Sequence, residues 1–306
     1  MSAQVSPLAT SNGTTLKKHV HSRFLKKRPH DLYGQRHAIE TPKCISDSLR
    51  LLEKEIYKLP PDKLSGIDQA SVLCPEIYES REHRLLFLRC EQYNADLAAL
   101  RMANYWKRRI ELFGDKAFTP ITVASIKEMH GERELALGFM KILPDTDGTG
   151  RVNIFVDPSL LEGHRYTDEA MVRAAWYTLH AALEVESTQQ KGIVFIVYLK
   201  DTCVHHFDRS LVQLLANSIR GVLPVRVSAI HMFHAPKVFE VMFDVVSLLL
   251  GDRLTKRLKM YSGEDSMIHD QLSEFGILPN HLPKELGGVL ELDQDKWIAE
   301  RENEEK

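Results

Sequence analysis

Three neighbouring polar residues could do chemistry. His205, His206 and Asp208 have the donor types of a metal site or a proton relay, and they stand close together in the sequence. The same arrangement is typical of a loop in which the aspartate caps the helix that follows. We expect the loop and the cap. An α/β enzyme that uses these three residues is kept as the weakest alternative.

A second polar cluster, Asp145-Thr-Asp-Gly-Thr-Gly150, resembles the beginning of a calcium-binding loop. Such a loop requires a bidentate glutamate at its twelfth position, where this chain has Val156. The segment is therefore interpreted as a turn that leads into a strand.

Motifs of the common α/β enzymes are absent from the sequence. It contains no G-x-G-x-x-G, G-x-x-x-x-G-K-[ST], G-x-S-x-G or H-E-x-x-H pattern. Its cysteines form no C-x-x-C pair, so neither a zinc site nor a disulfide scaffold is expected. They are Cys44, Cys74, Cys90 and Cys203. We predict a protein that is not an enzyme and needs no cofactor.

Composition indicates a globular chain of 306 residues, with 43% hydrophobic and 27% charged residues. The formal net charge of -2 gives no reason to expect a nucleic-acid partner. Charge is unevenly distributed, since residues 1–30 contain six Lys or Arg and no acid, while residues 291–306 carry seven acids against three bases. We predict a disordered basic arm over 1–41 and an acidic tail over 291–306. A cytoplasmic protein is expected, with an organellar transit peptide left open.

The hydrophobic pattern divides the rest of the chain into two parts. Residues 42–131 show helical spacing throughout, with helices predicted over Pro42–Leu59 and about Pro75–Cys90. Asn94 is expected to cap a third helix, in which Leu97, Leu100, Tyr105 and Trp106 form one side. Strands and helices alternate in residues 132–290, which predicts an α/β architecture with a mostly parallel sheet. The predicted strands are Arg151–Asp157, Ile193–Leu199, Val225–Met232 and Arg257–Tyr261, and the predicted helices are Asp168–Glu184, Asp208–Arg220 and Lys237–Leu250.

The last of these helices is amphipathic in an unusual way. Lys237, Glu240, Asp244 and Ser247 form one narrow polar stripe, and the other positions of Lys237–Leu250 are apolar. This pattern fits either a core helix at a sheet edge or a movable lid over an apolar cavity. The basic residues that flank it fit either a solvated turn or a phosphate-binding cluster. They are Arg226, Arg253, Lys256 and Arg257.

Taken together, these segments resemble the CRAL-TRIO lipid-binding family over about residues 45–290. The resemblance is carried by the order of several short stretches. They are Leu85–Cys90 with Tyr93-Asn94-Ala95, Gly192–Leu199, Pro224–His231 with Ala235-Pro236, Arg253-x-x-Lys256-Arg257-Leu258, and Leu282-Pro283-x-Glu285-x-Gly287-Gly288. The family implies a small helical module over 42–131 and a lipid-binding domain over 132–290. It also implies a bowl of parallel strands closed by a gate helix, here Lys237–Leu250.

The resemblance also implies which residues bind. The expected cavity residues are Ile193, Phe195, Val197, Ile230, Met232, Phe239, Met242, Phe243 and Val246. In the tocopherol-transfer and retinaldehyde-binding branch, basic residues near the gate meet membrane phosphoinositides. Arg226, Arg253, Lys256 and Arg257 are similar to that set, although Ser228 stands where the branch has a base. The phosphatidylinositol-transfer branch has an acid where this chain has Val225, so the first branch fits better.

The resemblance therefore implies a carrier that binds one hydrophobic lipid and transfers it between membranes through peripheral contact. An isoprenoid, a sterol-like molecule and a phospholipid all remain open as the ligand. The main alternative is a lipid-sensing scaffold that recruits protein partners through its termini.

Overall fold

The computed structural model describes residues 30–161 and 166–306. Most of the predicted basic arm, residues 1–29, lies outside the described residues, as do residues 162–165.

The first part of the chain is helical, as its apolar spacing predicts. Thr41 caps the first helix, since its hydroxyl accepts a hydrogen bond from the backbone N–H of Cys44, and Pro42 occupies the first turn. Asn94 is confirmed as the N-cap of the longest helix. The helices are α1 Pro42–Ile56, α2 Pro61–Leu73, α3 Pro75–Tyr78, α4 Arg81–Cys90, α5 Ala95–Phe113, α6 Val123–Glu128 and α7 Glu132–Leu137.

Two details of this part differ from the sequence prediction. A single helix over Pro75–Cys90 is wrong, because Ser80 has a non-helical backbone and caps α4 with its side chain. Tyr105 and Trp106 are buried on one side of α5, but Leu97 and Leu100 lie on its exposed side. These two leucines face a cleft that is described below.

The second part is built on a five-stranded sheet in the order β1-β2-β3-β4-β5. β1 is antiparallel to β2, and the other three pairings are parallel. β1 was not predicted, because Met140–Thr146 contains a proline and lacks regular alternation. The strands are β1 Met140–Thr146, β2 Val152–Val156, β3 Ile193–Tyr198, β4 Val227–Phe233 and β5 Leu258–Tyr261. The predicted α/β class with a mostly parallel sheet is confirmed.

Helices connect these strands and cover the sheet. They are α8 Asp168–Ala182, α9 Glu186–Lys191, α10 Arg209–Ile219, α11 Lys237–Thr255, α12 Asp265–Ser273 and α13 Gln294–Glu304. Alternate residues of β3 and β4 point to opposite faces. On one face Phe195 pairs with Ile230 and Val197 with Met232, and this face belongs to the larger core cluster. The other face packs beneath α12.

Residues 30–40, here named the strap, lie across one end of the sheet. The hydroxyl of Tyr33 donates to Asp147 over 2.8 Å, and its ring stacks on Phe275 with 5.0 Å between centroids. The amide of Gln35 donates to the carbonyl of Ser228 over 3.1 Å. This end of the predicted disordered arm is thus packed against the fold. A local pattern gives no sign of it, because Asp147, Phe275 and Ser228 are each more than a hundred residues away.

The predicted acidic tail contains a packed helix. In α13, Arg301 pairs with Glu184 at 2.6 Å. The side chain of Glu305 accepts hydrogen bonds from the N–H of Val123 at 2.8 Å and from the hydroxyl of Tyr177 at 2.6 Å. Among the described residues, no helix is both long enough and apolar enough to cross a membrane.

Candidate functional site

An apolar cavity of about 210 Å³ lies between the sheet, α8, α10 and α11. None of the described residues that line it is Asp, Glu, Lys or Arg. Seven of the nine predicted cavity residues line it, namely Phe195, Val197, Ile230, Met232, Phe239, Met242 and Val246.

The other two predicted cavity residues are placed elsewhere. Ile193 is fully buried in the same core cluster but does not reach the cavity. Phe243 is half-buried and packs beside Phe239, with 6.2 Å between the ring centroids. Helices α8 and α10 contribute lining residues that the sequence did not single out. These include Ala175, Trp176, Leu179, Val212, Leu215 and Ser218.

The helix that covers the cavity is interrupted at one residue. Gly251 has φ 72° and ψ 163°, so α11 kinks immediately after Leu250, where the predicted gate helix ends. A positive φ suits glycine, and a Cβ at this position would lie 3.1 Å from Cζ of Arg220. Arg220 also donates a hydrogen bond to the main-chain carbonyl of Leu249 over 3.2 Å. This kink at Gly251, here named the hinge, separates the predicted gate helix, Lys237–Leu250, from the last turn of α11.

A second cavity of about 600 Å³, here named the basic cleft, lies beside the hinge. Its cationic lining residues are Arg36, Arg101, Arg220, Arg226, Arg253 and Arg257. Glu91 is the single carboxylate among the described lining residues, and it pairs with Arg101 at 2.6 Å. Among the described residues, neither Arg253 nor Arg257 has a carboxylate within ion-pair distance. The cleft therefore concentrates positive charge that the protein leaves largely unneutralised.

Arg226 is a buried cation of this cleft. One terminal nitrogen donates to Nδ1 of His37 over 2.8 Å and also to the carbonyl of Gln190. Its Nε has no partner within the described residues. Burial and the neighbouring arginines lower the pKa of Arg226 to about 10, so it stays cationic at neutral pH. Burial and Arg253 also lower the pKa of Arg257. An anion in the cleft would relieve this repulsion.

A sequence comparison, taken together with this architecture, identifies the family. The model of the CRAL/TRIO domain matches residues 138–288. These residues belong to the CRAL/TRIO domain family. The resemblance seen in the sequence is thereby confirmed.

Individual relatives are similar over longer stretches. Alpha-tocopherol transfer protein-like of Homo sapiens is 26% identical over 264 residues, which span 85% of this chain and 70% of that protein. Clavesin-2 of Homo sapiens is 24% identical over 221 residues, covering 70% of this chain and 63% of that protein. Tyrosine-protein phosphatase non-receptor type 9 of Homo sapiens is 28% identical over 195 residues, which span 62% of this chain and 32% of that protein.

Three residues border both cavities and form the wall between them. Ile219, Val227 and Leu254 line both the apolar cavity and the basic cleft. Ile219 ends α10, Val227 begins β4, and Leu254 follows the hinge. Each of these three residues thus borders both cavities.

The four predicted membrane-contact residues have different surroundings. Arg226, Arg253 and Arg257 line the cleft. Lys256 is exposed at the end of α11 and does not line it. Sequence reasoning missed Arg36, Arg101 and Arg220, because they come from three distant segments. The exposed leucines of α5, Leu97 and Leu100, form part of the same cleft.

The polar clusters that first suggested chemistry serve structural roles. Asp208 caps α10 and accepts from the hydroxyl of Tyr166 over 3.0 Å. His206 accepts from the N–H of Cys203 over 3.0 Å. Asp147 forms a turn, since one carboxylate oxygen accepts from the N–H groups of Thr149 and Arg151. In the described parts of the chain, no group of three or more His, Cys, Asp or Glu is placed to hold a metal ion.

Proposed function

We propose that the protein binds one hydrophobic lipid in the apolar cavity and transfers it between membranes, without a covalent step. The observation that carries this proposal is the cavity itself, whose described lining contains no Asp, Glu, Lys or Arg. Removing ~400 Å² of lipid surface from water would contribute about 10 kcal/mol at ~25 cal/mol/Å². Part of that gain is offset by the ordering of the lipid and the protein on binding.

Binding a lipid requires the cavity to widen. Its volume of about 210 Å³ lies below the ~300–1,000 Å³ that is usual for sites of drug-sized ligands. Outward movement of the gate helix about Gly251 would supply the space. Phe239, Met242 and Val246 would then remain against the lipid. Methionine and phenylalanine suit this task, because they pack against partners of varied shape.

We further infer that the basic cleft meets phosphoinositides at the membrane surface. Arg253 and Arg257 lack carboxylate partners within the described residues, and Arg226 supplies a buried charge behind them. The planar guanidinium group of arginine can donate two hydrogen bonds to the oxygens of one phosphate. Leu97 and Leu100 at the rim offer apolar contact with the headgroup region. The protein would thus act at membranes from the cytoplasm as a peripheral carrier.

One relative supports the choice of a carrier. The name of alpha-tocopherol transfer protein-like refers to the transfer of a lipid, and the chain aligns with 70% of its length. An isoprenoid, a sterol-like lipid and a phospholipid remain the ligand classes to be tested.

Native mass spectrometry of the purified full chain tests the proposal. After incubation with vesicles of mixed membrane lipids, we expect a one-to-one adduct whose lipid can be extracted and identified. Transfer is then measured from loaded protein to acceptor vesicles. A protein that remains free of lipid after this exposure would rule out both the carrier and a lipid sensor.

The alternative, a lipid-sensing scaffold that recruits partners through its termini, has less support. The C-terminal residues are engaged within the chain, because Arg301 and Glu305 bind Glu184, Tyr177 and Val123. Such a scaffold would keep its lipid for hours in the presence of acceptor vesicles, whereas a carrier would release it.

A further inference from the structure

His37 of the strap uses both ring nitrogens in one chain of hydrogen bonds. Its Nε2 lies 2.6 Å from a carboxylate oxygen of Asp31, and its Nδ1 lies 2.8 Å from a terminal nitrogen of Arg226. Asp31 is ionised, since its pKa is lowered to about 2, so the carboxylate accepts and Nε2 donates. A guanidinium can only donate, so Nδ1 is the acceptor. The arrangement therefore requires a neutral imidazole with its proton on Nε2.

The charged groups that face His37 within the described residues come from three segments. Asp31 belongs to the strap, Arg151 precedes β2 and Arg226 precedes β4. Nη2 of Arg151 bonds to Asp31 and also lies 3.3 Å from Nε2 of His37, which is a contact between two donors. Burial and the two arginines lower the pKa of His37 below 6.5, although Asp31 acts in the opposite direction. The ring is therefore neutral at pH 7 and gains a proton only in acid.

Protonation of His37 would break its contact with Arg226. The added proton would go to Nδ1, the atom that accepts from the guanidinium, and two N–H groups would then face each other. The ring would keep its bond to Asp31 as an ion pair. The strap itself would stay in place, because Tyr33 and Gln35 hold it through contacts that do not involve His37. Acid would thus release one arginine without releasing the strap.

The released arginine belongs to the basic cleft. Arg226 is 8% exposed and lines the cleft together with Arg253 and Arg257. Its Nε is buried and has no partner in the described parts of the chain. Once the bond to His37 is broken, the terminal nitrogen keeps only the carbonyl of Gln190. Protonation therefore frees donors in the cleft and adds a positive charge behind them, and both changes favour a bound anion.

We propose that His37 is a positioning residue that restrains Arg226 at neutral pH and strengthens anion binding in the basic cleft when the solution becomes mildly acidic. This inference rests on the anion site of the proposed function and adds the regulation of that site. Linkage makes the effect reciprocal. An anion that binds more tightly to the protonated form must raise the pKa of His37.

The test measures the binding of myo-inositol hexasulfate to the full chain by isothermal titration calorimetry at pH 5.0 and at pH 7.5. Sulfate esters keep their charge over this range, so the pH dependence belongs to the protein. In His37→Asn the amide oxygen can accept from Arg226 as Nδ1 does, but it does not titrate. The ratio of the affinity at pH 5.0 to that at pH 7.5 should be about fivefold larger in the unchanged chain than in this variant, the factor expected for one ordinary hydrogen bond.

His205→Asn is the matched control, because it removes an exposed histidine that does not line the cleft. It should keep the larger ratio. Equal ratios in the unchanged chain and His37→Asn, or an equal fall in both variants, would overturn the proposal. No binding of the hexasulfate at either pH would instead refute the anion site of the proposed function.

Nuclear magnetic resonance of the histidine rings in the unchanged chain gives a second test that does not depend on a variant. The pKa of His37 should rise when hexasulfate is added, and a constant pKa would overturn the proposal. Vesicles that contain phosphatidylglycerol, whose phosphodiester also keeps its charge, should show the same pH dependence as the soluble probe. A response to hexasulfate alone would retain the role of His37 but assign the cleft to a free polyanion and not to a membrane.

Discussion

Arg220 donates a hydrogen bond to the main-chain carbonyl of Leu249, two positions before the kink at Gly251. The contact joins the end of α10 to the end of the gate helix. Its donor also lines the basic cleft, so one guanidinium touches both the gate and the site proposed for phosphate. An anion that attracts Arg220 would weaken its hold on the gate.

Removing this guanidinium should therefore speed lipid exchange. Arg220→Gln is expected to raise the rate of lipid release about fivefold, because one hydrogen bond contributes about 1 kcal/mol. Release of a fluorescent lipid from loaded protein to acceptor vesicles measures the effect. Arg209→Gln removes a similar exposed charge from the start of the same helix and should have little effect. Equal rates in both variants would mean that Arg220 does not restrain the gate.

Charge reversal in the cleft should separate membrane docking from lipid binding. Arg253→Glu combined with Arg257→Glu is expected to slow transfer to vesicles that contain phosphoinositides by at least ~10-fold, since each cation near an anionic surface contributes about 1 kcal/mol. The amount of lipid bound in the cavity should be nearly unchanged.

Lys256→Glu is the control, because it changes the charge of a neighbouring residue outside the cleft. If it slows transfer equally, general surface charge is responsible and the cleft is not a distinct site. A parallel loss of lipid binding in the double variant would instead mean that the arginines contact the ligand.

Aspartate substitutions on different sides of the gate helix should show which side faces the lipid. Phe239→Asp should abolish lipid retention, because a carboxylate would be buried in the cavity wall without a partner. Leu248→Asp, on the same helix but 75% exposed, should retain lipid. Phe243→Asp should fall between them, since that ring is half-buried beside Phe239. The amount of lipid that survives gel filtration distinguishes these outcomes, and full retention in Phe239→Asp would show that the gate is misassigned.

The strap should stabilise the domain in a pH-dependent way. Burial alone would raise the pKa of Asp31, but hydrogen bonds from His37 and the fully buried Arg151 outweigh it and lower the pKa to about 2. The stabilisation is therefore complete above pH ~4 and is lost as pH falls towards 2. Asp31→Asn should reduce the free energy of unfolding by about 2–3 kcal/mol at pH 7.

Denaturant unfolding at pH 7 and at pH 2.5 checks this result, and the difference in stability between the variant and the unchanged chain should shrink at the lower pH. Asp47→Asn is the control, because Asp47 forms only exposed ion pairs on α1. A stability difference between Asp31→Asn and the unchanged chain that persists undiminished at pH 2.5 would show that the ion pair is not its source.

Local patterns in the sequence predict the fold class well. The continuous apolar run at Ile193 and the alternation that begins near Val227 are each visible within a few residues. The caps at Asn94 and Asp208 are likewise local, since each side chain bonds to an N–H three residues ahead. Period-two alternation also places Phe195 with Val197, and Ile230 with Met232, on shared faces of β3 and β4, because backbone pleating determines which residues share a face.

The remaining features depend on contacts between distant segments. The strap is fixed by Arg151 and Ser228, far along the chain, so nothing near Asp31 indicates its order. The basic cleft collects arginines from the strap, α5, the end of α10 and the hinge. The hydrogen bonding of a helical serine hydroxyl, such as that of Ser218, depends on the neighbouring elements. The sequence of one helix does not specify those neighbours.

The wall formed by Ile219, Val227 and Leu254 has a thermodynamic consequence. If an anion in the cleft shifts these side chains and thereby weakens lipid binding, the lipid must weaken anion binding by the same factor. Loaded and empty protein would then differ in their affinity for the same membrane. A donor membrane poor in phosphoinositide and an acceptor rich in it would give transport a direction without an energy source other than the two membrane compositions.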